Sequence, residues 1–161
     1  MVTDYQQLRQ VSEKASKEEA DSIYGKLQNI VSTHDSAVGL SAIQIGIPKR
    51  VFIALIGEEW ELFVNPEIVE QEADIIEGTE GCLSFPGYEV ATRRSRQITV
   101  TADNLESKLV LTDFDAVVFQ HELDHLNGVL FFDRGYIVKS PLTRNSLCFC
   151  GSGKKFKRCH G

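Results

Sequence analysis

The stretch Gln120–Gly128 (Gln-His-Glu-Leu-Asp-His-Leu-Asn-Gly) restricts the fold and chemistry of this chain more than any other feature. His121 and His125 are four residues apart, so on a helix their imidazoles lie on one face. Two imidazoles in this arrangement can share one divalent cation, and Glu122 can act on water bound to that cation. The pattern therefore predicts a helix that carries part of a metal site. The alternative is a surface helix that has this spacing by chance.

The flanking residues indicate where this helix begins and ends. Thr112 and Asp115 have the spacing of a capping box, which satisfies free amide groups at a helix N-terminus. Ala116 and Phe119 contribute to an apolar side, and Gly128 is typical of a C-terminal stop. The helix is therefore well defined at both ends by the sequence alone.

A hydrolytic metal site of this kind needs three protein ligands and one open position. The metzincin pattern would place its third histidine where this chain has Phe131, and no glutamate follows Glu122. The third ligand is therefore expected upstream of the helix. Cys82 is the strongest candidate, because it is the only cysteine outside the last fourteen residues.

Three motifs, in the same order along the chain, resemble those of the peptide deformylase family. Val38–Gly46 is similar to the first motif of that family, Glu80–Ser84 to its cysteine motif and Gln120–Gly128 to its helix motif. Two residues depart from the first motif: Ala37 stands where glycine is usual, and Ser41 where alanine is common. Alanine at position 37 is tolerated if its φ is negative; otherwise the edge that receives the substrate is displaced.

The resemblance implies a metal-dependent hydrolase that removes the formyl group from N-terminal formyl-methionine of newly made peptides and releases formate. Cys82, His121 and His125 would hold the metal. Glu122 would take a proton from the metal-bound water and give it to the leaving amine. Ferrous iron is the ion that the family favours, and the ligand set also suits Zn²⁺, Ni²⁺ or Co²⁺.

The resemblance also assigns residues around the metal. Gln44, as an amide donor, and the backbone N–H of Leu83 would stabilise the oxyanion of the transition state. The small residues of the first motif suit a peptide that lies alongside as an added strand. The residues expected to contact the substrate are Val38, Gly39, Gly81 and Val118, the last of which is equally well explained as core packing.

Two other functions are compatible with the motif and the tail. The first is a metalloprotease of the HExxH class, which would cleave internal peptide bonds without depending on Cys82. The second is a non-catalytic adaptor, in which the C-terminal tail acts on a deformylase-like scaffold. The presence of every expected catalytic residue weighs against the adaptor.

A second metal site is predicted in residues 146–161. Cys148 and Cys150 are followed after eight residues by Cys159 and His160. Three thiolates and one imidazole are the ligands of a typical structural zinc site. So small a segment needs a cross-link such as a bound metal to fold. The segment resembles the SEC-C motif, whose role is interaction with partners. The alternative is a frayed tail with chance cysteines.

The net charge of −6 hides a strong asymmetry along the chain. No Asp or Glu occurs from Arg134 onward, so residues 1–133 hold all 23 acidic residues. A basic tail on an acidic body favours a polyanionic partner such as the ribosome or another nucleic acid or protein surface. The equal alternative is that the tail's basic residues offset metal-bound thiolates. Three further arginines are interpreted as a solvated basic face: Arg93, Arg94 and Arg96.

The composition is that of an ordinary globular chain, with 42% hydrophobic and 25% charged residues among 161. No apolar run approaches the ~20 residues that span a membrane, and the N-terminus lacks the apolar region of a signal peptide. A cytoplasmic location without membrane association is therefore expected.

We predict an α+β fold, with short antiparallel strands around the central metal-binding helix. An N-terminal helix over Lys17–Thr33, begun by a capping box of Ser16 and Glu19, packs on this body. Ala37–Gly46 is predicted to be extended.

The predicted division is a catalytic domain over residues 1–134, a linker over 135–145 and the zinc motif over 146–161. The linker is indicated by Gly, Ser, Pro and Asn residues after Phe132.

Overall fold

The computed structural model describes residues 1–161 and has the predicted α+β fold. Neither α-helix has the length and apolar character to cross a membrane. The helices and strands in chain order are α1 (Lys17–Val31), β1 (Gly39–Ser41), β2 (Val51–Ile56), β3 (Glu59–Val64), β4 (Glu67–Gln71), β5 (Ile75–Glu80), β6 (Glu89–Ser95), β7 (Gln97–Thr101), β8 (Leu109–Thr112), α2 (Asp113–Leu126) and β9 (Gly135–Lys139). Short 3₁₀ turns lie at Gln7–Arg9, Ala42–Ile45, Phe131–Asp133 and Phe156–Arg158.

The strands form three antiparallel sheets of three strands each, in the orders β1-β2-β3, β4-β7-β8 and β5-β6-β9. β1 and β5 are therefore edge strands, each with one side free of strand partners. An edge strand offers unpaired backbone groups to an added chain. The free edges of β1 and β5 border the cleft that contains the candidate site.

Helix α1 begins as the sequence predicts and ends two residues earlier than Thr33. The Ser16 side chain accepts from the Glu19 backbone N–H, and the Glu19 carboxylate accepts from the Ser16 N–H. The apolar stripe of α1 is buried against β1 and β2: Ala20, Ile23, Leu27 and Val31. This helix stabilises the scaffold and carries no site residue.

Helix α2 crosses the centre of the molecule and is buried on most of its surface. The Phe119 ring packs between Phe52 of β2 and Phe63 of β3, with ring centroids 5.1 and 5.0 Å away. Thr112 occupies the N-cap as predicted, but its side chain makes no capping hydrogen bond. Instead the Asp113 N–H donates to the Arg96 carbonyl, which ties the helix start to the β6–β7 junction.

The end of α2 is set by Gly128, as predicted. Its φ is +69°, a left-handed conformation that favours glycine. A Cβ at this position would lie 2.4 Å from the Arg9 carbonyl oxygen. The chain therefore turns here because glycine permits both the conformation and the close approach of the N-terminal segment.

Two segments differ from the sequence prediction. Ala37–Gly46 was predicted to be extended, but only β1 is; Ala42–Ile45 form a 3₁₀ turn, which the Ser41 N–H stabilises by donating to Gln44 Oε1. Strand β9 forms inside the stretch interpreted as a linker. It pairs with β6, with Tyr136 opposite Ala91.

The C-terminal segment packs on the body through aromatic side chains. The Phe149 ring lies 4.5 Å from Phe132 and 5.1 Å from Tyr88, measured between centroids. The Gln6 amide also donates to the Cys150 carbonyl at 3.4 Å. The C-terminal segment that carries the predicted zinc ligands therefore packs against the residues that follow Cys82.

Candidate metal centre and substrate cleft

Cys82, just after β5, lies beside His121 and His125 of α2. The ligand atoms of the three residues all lie within 4.8 Å of one another, and Cys82 Sγ is 3.3 Å from His125 Nε2. In a tetrahedral site with bonds of ~2.0–2.3 Å, neighbouring ligand atoms are about 3.3–3.8 Å apart. One thiolate and two imidazoles at these separations fit a single divalent ion with a fourth position left for water or substrate.

Contacts on the far side of the rings determine which nitrogen faces the cluster. His121 Nδ1 donates to Glu80 Oε2 at 2.7 Å, which leaves Nε2 toward Cys82. His125 is buried, its Nε2 faces Cys82, and its Nδ1 has no hydrogen-bond partner. Metal-binding histidines commonly donate their other nitrogen to a carboxylate, as His121 does here.

The electrostatic environment favours a cation at this position. Burial would lower the pKa of His121, but the Cys82 and Glu80 side chains raise it well above its ordinary value. Burial and the nearby His121 lower the pKa of His125, so this imidazole is neutral, the form that binds a metal. The negative surroundings that attract a proton to His121 also attract a divalent ion.

A buried network of charges lies behind the ligands. Arg94 donates to the carboxylates of Glu80 and Asp124, and Arg134 donates to Asp124 as well. The interpretation of Arg94 as part of a solvated face is wrong, since it is 4% exposed. It points inward because side chains alternate along β6, whereas its neighbour Arg93 points outward and is exposed.

Sequence reasoning missed this network because a charged residue in a strand gives no direct sign of which face it occupies. The available signal was the alternation of β6 together with two acidic residues inside the metal motifs, Glu80 and Asp124. Gln120 adds a further link, because its side chain exchanges two hydrogen bonds with the backbone of Ser95. These contacts fix α2 relative to β6.

Glu122 is 4% exposed and lies against β1. Its Oε2 accepts a hydrogen bond from the Ser41 hydroxyl at 2.5 Å. Burial raises the pKa of Glu122, while His121 and the Ser41 hydroxyl oppose the rise. A carboxylate that holds a proton more strongly than usual suits a group that accepts a proton and later returns it.

Gln44 extends from the 3₁₀ turn toward the same centre. Its amide nitrogen lies 3.5 Å from Cys82 Sγ and 3.2 Å from Ser84 Oγ. The backbone N–H groups of Gly81 and Leu83 donate to no backbone carbonyl. The Gln44 amide therefore lies at the centre, and the two backbone N–H groups near it are free of backbone acceptors.

The centre opens into a cleft of about 910 Å³ between β1, β5 and α2. His125 is buried and is not part of the lining. Phe114 and Tyr88, which the sequence did not single out, contribute to the lining. The other predicted residues of the catalytic site all line the cleft: Val38, Gly39, Gln44, Gly81, Cys82, Leu83, Val118, His121 and Glu122. Val118 is also part of the hydrophobic core, as its alternative role predicts, and its contact with substrate stays a prediction.

The tail brings together its four predicted ligands. The ligand atoms of Cys148, Cys150, Cys159 and His160 all lie within 4.8 Å of one another. Cys148 Sγ is 3.2 Å from His160 Nδ1, and Cys150 Sγ is 3.5 Å from Cys159 Sγ. Three soft thiolates and one imidazole at these separations fit a closed tetrahedral zinc site.

Comparisons with known proteins agree with both parts of the molecule. Residues 1–140 match the family model for polypeptide deformylase, and residues 144–161 match the model for the SEC-C motif. A curated peptide deformylase from Thermotoga petrophila is 39% identical over 132 residues, covering 79% of this chain and 80% of the relative. One from Thermotoga maritima is 43% identical and covers 71% of each chain.

Solved structures show the same fold. The crystal structure of peptide deformylase from Thermotoga maritima is 37% identical, with a TM-score of 0.73 over 80% of this chain and 90% of that one. A class I type b peptide deformylase from Acinetobacter baumannii matches with a TM-score of 0.72, 29% identity and coverage of 80% and 91%. This chain belongs to the peptide deformylase family, whose reaction is the metal-dependent removal of the formyl group from formyl-methionyl peptides.

Proposed function

We propose that Cys82, His121 and His125 hold the catalytic metal and that Glu122 moves the protons of the reaction. The observation that carries this proposal is the convergence of one thiolate and two imidazoles from distant parts of the chain. When bound there, a divalent metal supplies Lewis-acid chemistry and lowers the pKa of its water toward ~7. Every other step depends on residues of this chain.

Glu122 is placed to accept a proton from the attacking water. Its Oε2 is occupied by Ser41, so Oε1 is the oxygen free to take that proton. The same carboxyl then gives the proton to the amine nitrogen that leaves the formyl carbon. Burial excludes bulk water, which keeps the proton available for this transfer.

Charge develops on the formyl oxygen as water attacks. We propose that the Gln44 amide and the Leu83 N–H donate to this oxygen, because neither donor is taken up by a backbone carbonyl. Preorganised donors of this kind stabilise a developing oxyanion more strongly than they stabilise the ground state.

The peptide is expected to lie between the free edges of β1 and β5. Val38 and Gly39 on one side and Gly81 on the other offer backbone groups, and Val118 offers an apolar wall for methionine. The related Acinetobacter baumannii enzyme has been solved with the peptide Met-Ala-Ser bound. A short peptide with N-terminal formyl-methionine is therefore the substrate that we propose.

The test is formate release from a formyl-Met-Ala-Ser peptide by metal-loaded protein. Glu122→Ala is expected to lower kcat by about 10²–10⁴-fold, the usual contribution of a general acid–base group. Glu106→Ala, which removes an exposed carboxylate outside the lining of the cleft, is the control. Equal formate release by wild type and Glu122→Ala would show that another group moves the proton.

We propose Fe²⁺ as the catalytic ion in the cell and Zn²⁺ in the tail. Cys82 is partly exposed to the cleft, so an iron–thiolate centre there is open to oxidation. Activity should therefore fall on storage in air and persist under an inert atmosphere. Unchanged activity after aerobic storage would assign Zn²⁺, Ni²⁺ or Co²⁺ instead.

The tail is proposed to add an interaction to the catalytic domain. The basic side chains Lys154, Lys155, Lys157 and Arg158 are exposed around the zinc-type cluster. They suit an anionic surface such as the ribosome, where nascent peptides emerge in the cytoplasm. Salt-dependent co-sedimentation with ribosomes, lost when these four residues are neutralised, would support this assignment. We propose residues 1–134 together with β9 as the catalytic unit and residues 146–161 as the interaction unit.

A further inference from the structure

Ser41 is a completely buried serine whose side chain and backbone contact two different groups of the active centre. Its hydroxyl lies 2.5 Å from Glu122 Oε2 and 3.1 Å from the Glu122 carbonyl oxygen. Its backbone N–H donates to Gln44 Oε1 at 2.9 Å. No other residue of β1 has a side chain that hydrogen-bonds to Glu122, because β1 consists of Gly39, Leu40 and Ser41.

The contact with Glu122 fixes the direction of the carboxylate. The hydroxyl holds Oε2, while Oε1 lies over Gly39, where an added Cβ would be 2.5 Å away. The absence of a side chain at Gly39 thus makes room for one oxygen, and Ser41 binds the other. A glutamate side chain has several rotatable bonds, so an anchor near its end restricts the orientations that it samples.

The backbone contact fixes Gln44 by a separate route. Because Gln44 Oε1 accepts from the Ser41 N–H, its amide nitrogen is turned toward Cys82 and Ser84. This hydrogen bond uses main-chain atoms of Ser41 and does not need the hydroxyl. The two functions of the residue can therefore be separated by substitution.

We propose that the Ser41 hydroxyl is a positioning group for Glu122, which holds the carboxylate with Oε1 toward the reacting water. This inference rests on the proposed function of Glu122 as the proton carrier. At this position the motif commonly has alanine, so the serine of this chain adds a hydroxyl that can anchor Glu122. A catalytic group held in its productive orientation raises the rate of the chemical step, without strengthening the binding of substrate.

The experiment is steady-state deformylation by metal-loaded Ser41→Ala, which keeps the backbone bond to Gln44. We expect kcat to fall about tenfold, because the carboxylate remains but is less often aligned. KM and bound metal per chain should stay at wild-type values. A rise in KM with unchanged kcat, or loss of metal, would overturn the assignment, because either result would indicate a structural role.

Ser12→Ala is the matched control. Ser12 is 4% exposed and its hydroxyl has no hydrogen-bond partner, so this variant removes a buried hydroxyl away from Glu122. It should leave kcat unchanged. A tenfold loss in this variant as well would show that the effect of Ser41→Ala is not specific to Glu122.

A double-mutant cycle separates this inference from the proposed function. In the Glu122→Ala background, measured by single turnover with enzyme in excess, Ser41→Ala should have no further effect on the rate. A second tenfold loss in that background would overturn the positioning role, because the hydroxyl would then act on something other than Glu122. Wild-type activity of Glu122→Ala alone would instead refute the role of Glu122.

Discussion

Glu80 links the proposed metal ligands to the buried charges behind them. Its Oε2 accepts a hydrogen bond from His121 Nδ1, and both of its carboxylate oxygens accept hydrogen bonds from the Arg94 guanidinium. Its proximity to these partners lowers the pKa of Glu80 although burial alone would raise it, so the side chain is ionised. An ionised partner fixes the His121 ring and increases its basicity toward a metal.

Glu80→Gln is therefore expected to weaken binding of the catalytic metal by about 10–100-fold. The reason is that a neutral amide cannot hold both His121 and Arg94 as a carboxylate does. The measurement is competition with a metal chelator, read from metal retained per chain. Glu70→Gln, at an exposed carboxylate of β4, should behave as wild type. Unchanged retention in Glu80→Gln would remove Glu80 from the support of the metal site.

The sequence singled out the residues that we propose to carry the chemistry and missed those that orient them. His121, His125 and Cys82 are recognisable because ligand type and helical spacing are both visible in the sequence. Glu80 and Arg94 become supporting residues only through the inward face of β5 and β6, which depends on sheet register. The contact of Ser41 with Glu122 depends on β1 packing against α2, which no local pattern encodes.

At the scale of elements, the end of α2 determines how the N-terminal segment packs. Gly128 has a φ of +69° and lies close to the Arg9 carbonyl. The Arg9 side chain also donates a hydrogen bond to the Asp133 carboxylate. A side chain at position 128 must therefore displace backbone as well as adopt an unfavourable conformation.

Gly128→Ala is expected to lower the free energy of unfolding by about 2 kcal/mol or more, from left-handed strain together with backbone displacement. The measurement is urea denaturation followed by far-UV circular dichroism. Gly25→Ala is the matched control in α1, where an added Cβ meets nothing within 4 Å. It should raise the free energy of unfolding by about 0.5–1 kcal/mol. An equal response of the two variants would contradict the packing described for Gly128.

Helix α1 was predicted from a strong local pattern, whereas strand β9, which is defined by a distant partner, was not. Helix α1 has an apolar stripe and a capping box, both local signals. Strand β9 is short and exposed, and its partner β6 lies some forty residues earlier in the chain. Its Gly, Ser and Pro neighbours favour a linker, and only pairing with β6 makes it a strand.

At the scale of the whole molecule, the tail and the catalytic centre share one aromatic cluster. Phe149 lies in sequence between the predicted zinc ligands Cys148 and Cys150, and its ring packs on Tyr88. The centroid of the Phe85 ring lies 5.9 Å from that of Phe149. The Phe85 N–H donates to the Cys82 carbonyl at 2.9 Å, and the Tyr88 N–H donates to Phe85. The turn that presents Cys82 is therefore supported by the tail.

Phe149→Ala is expected to loosen this turn and to lower the free energy of unfolding by about 1–3 kcal/mol, less than for a fully buried ring. Amide hydrogen exchange at Phe85 and Tyr88 should accelerate, because both N–H groups lie in the turn that loses its packing. Leu147→Ala, at a tail side chain that is 69% exposed, should change neither quantity. Unaltered exchange at Phe85 and Tyr88 in Phe149→Ala would show that the tail and the turn are independent.

The central claim is that one upstream thiolate and two helical imidazoles bind a single catalytic ion. The most direct test is anomalous X-ray diffraction from crystals of the active, metal-loaded protein. We predict an anomalous peak within about 2.0–2.3 Å of Cys82 Sγ, His121 Nε2 and His125 Nε2. An active protein with no peak between these three atoms, or with the thiol beyond bonding distance of the ion, would contradict this claim.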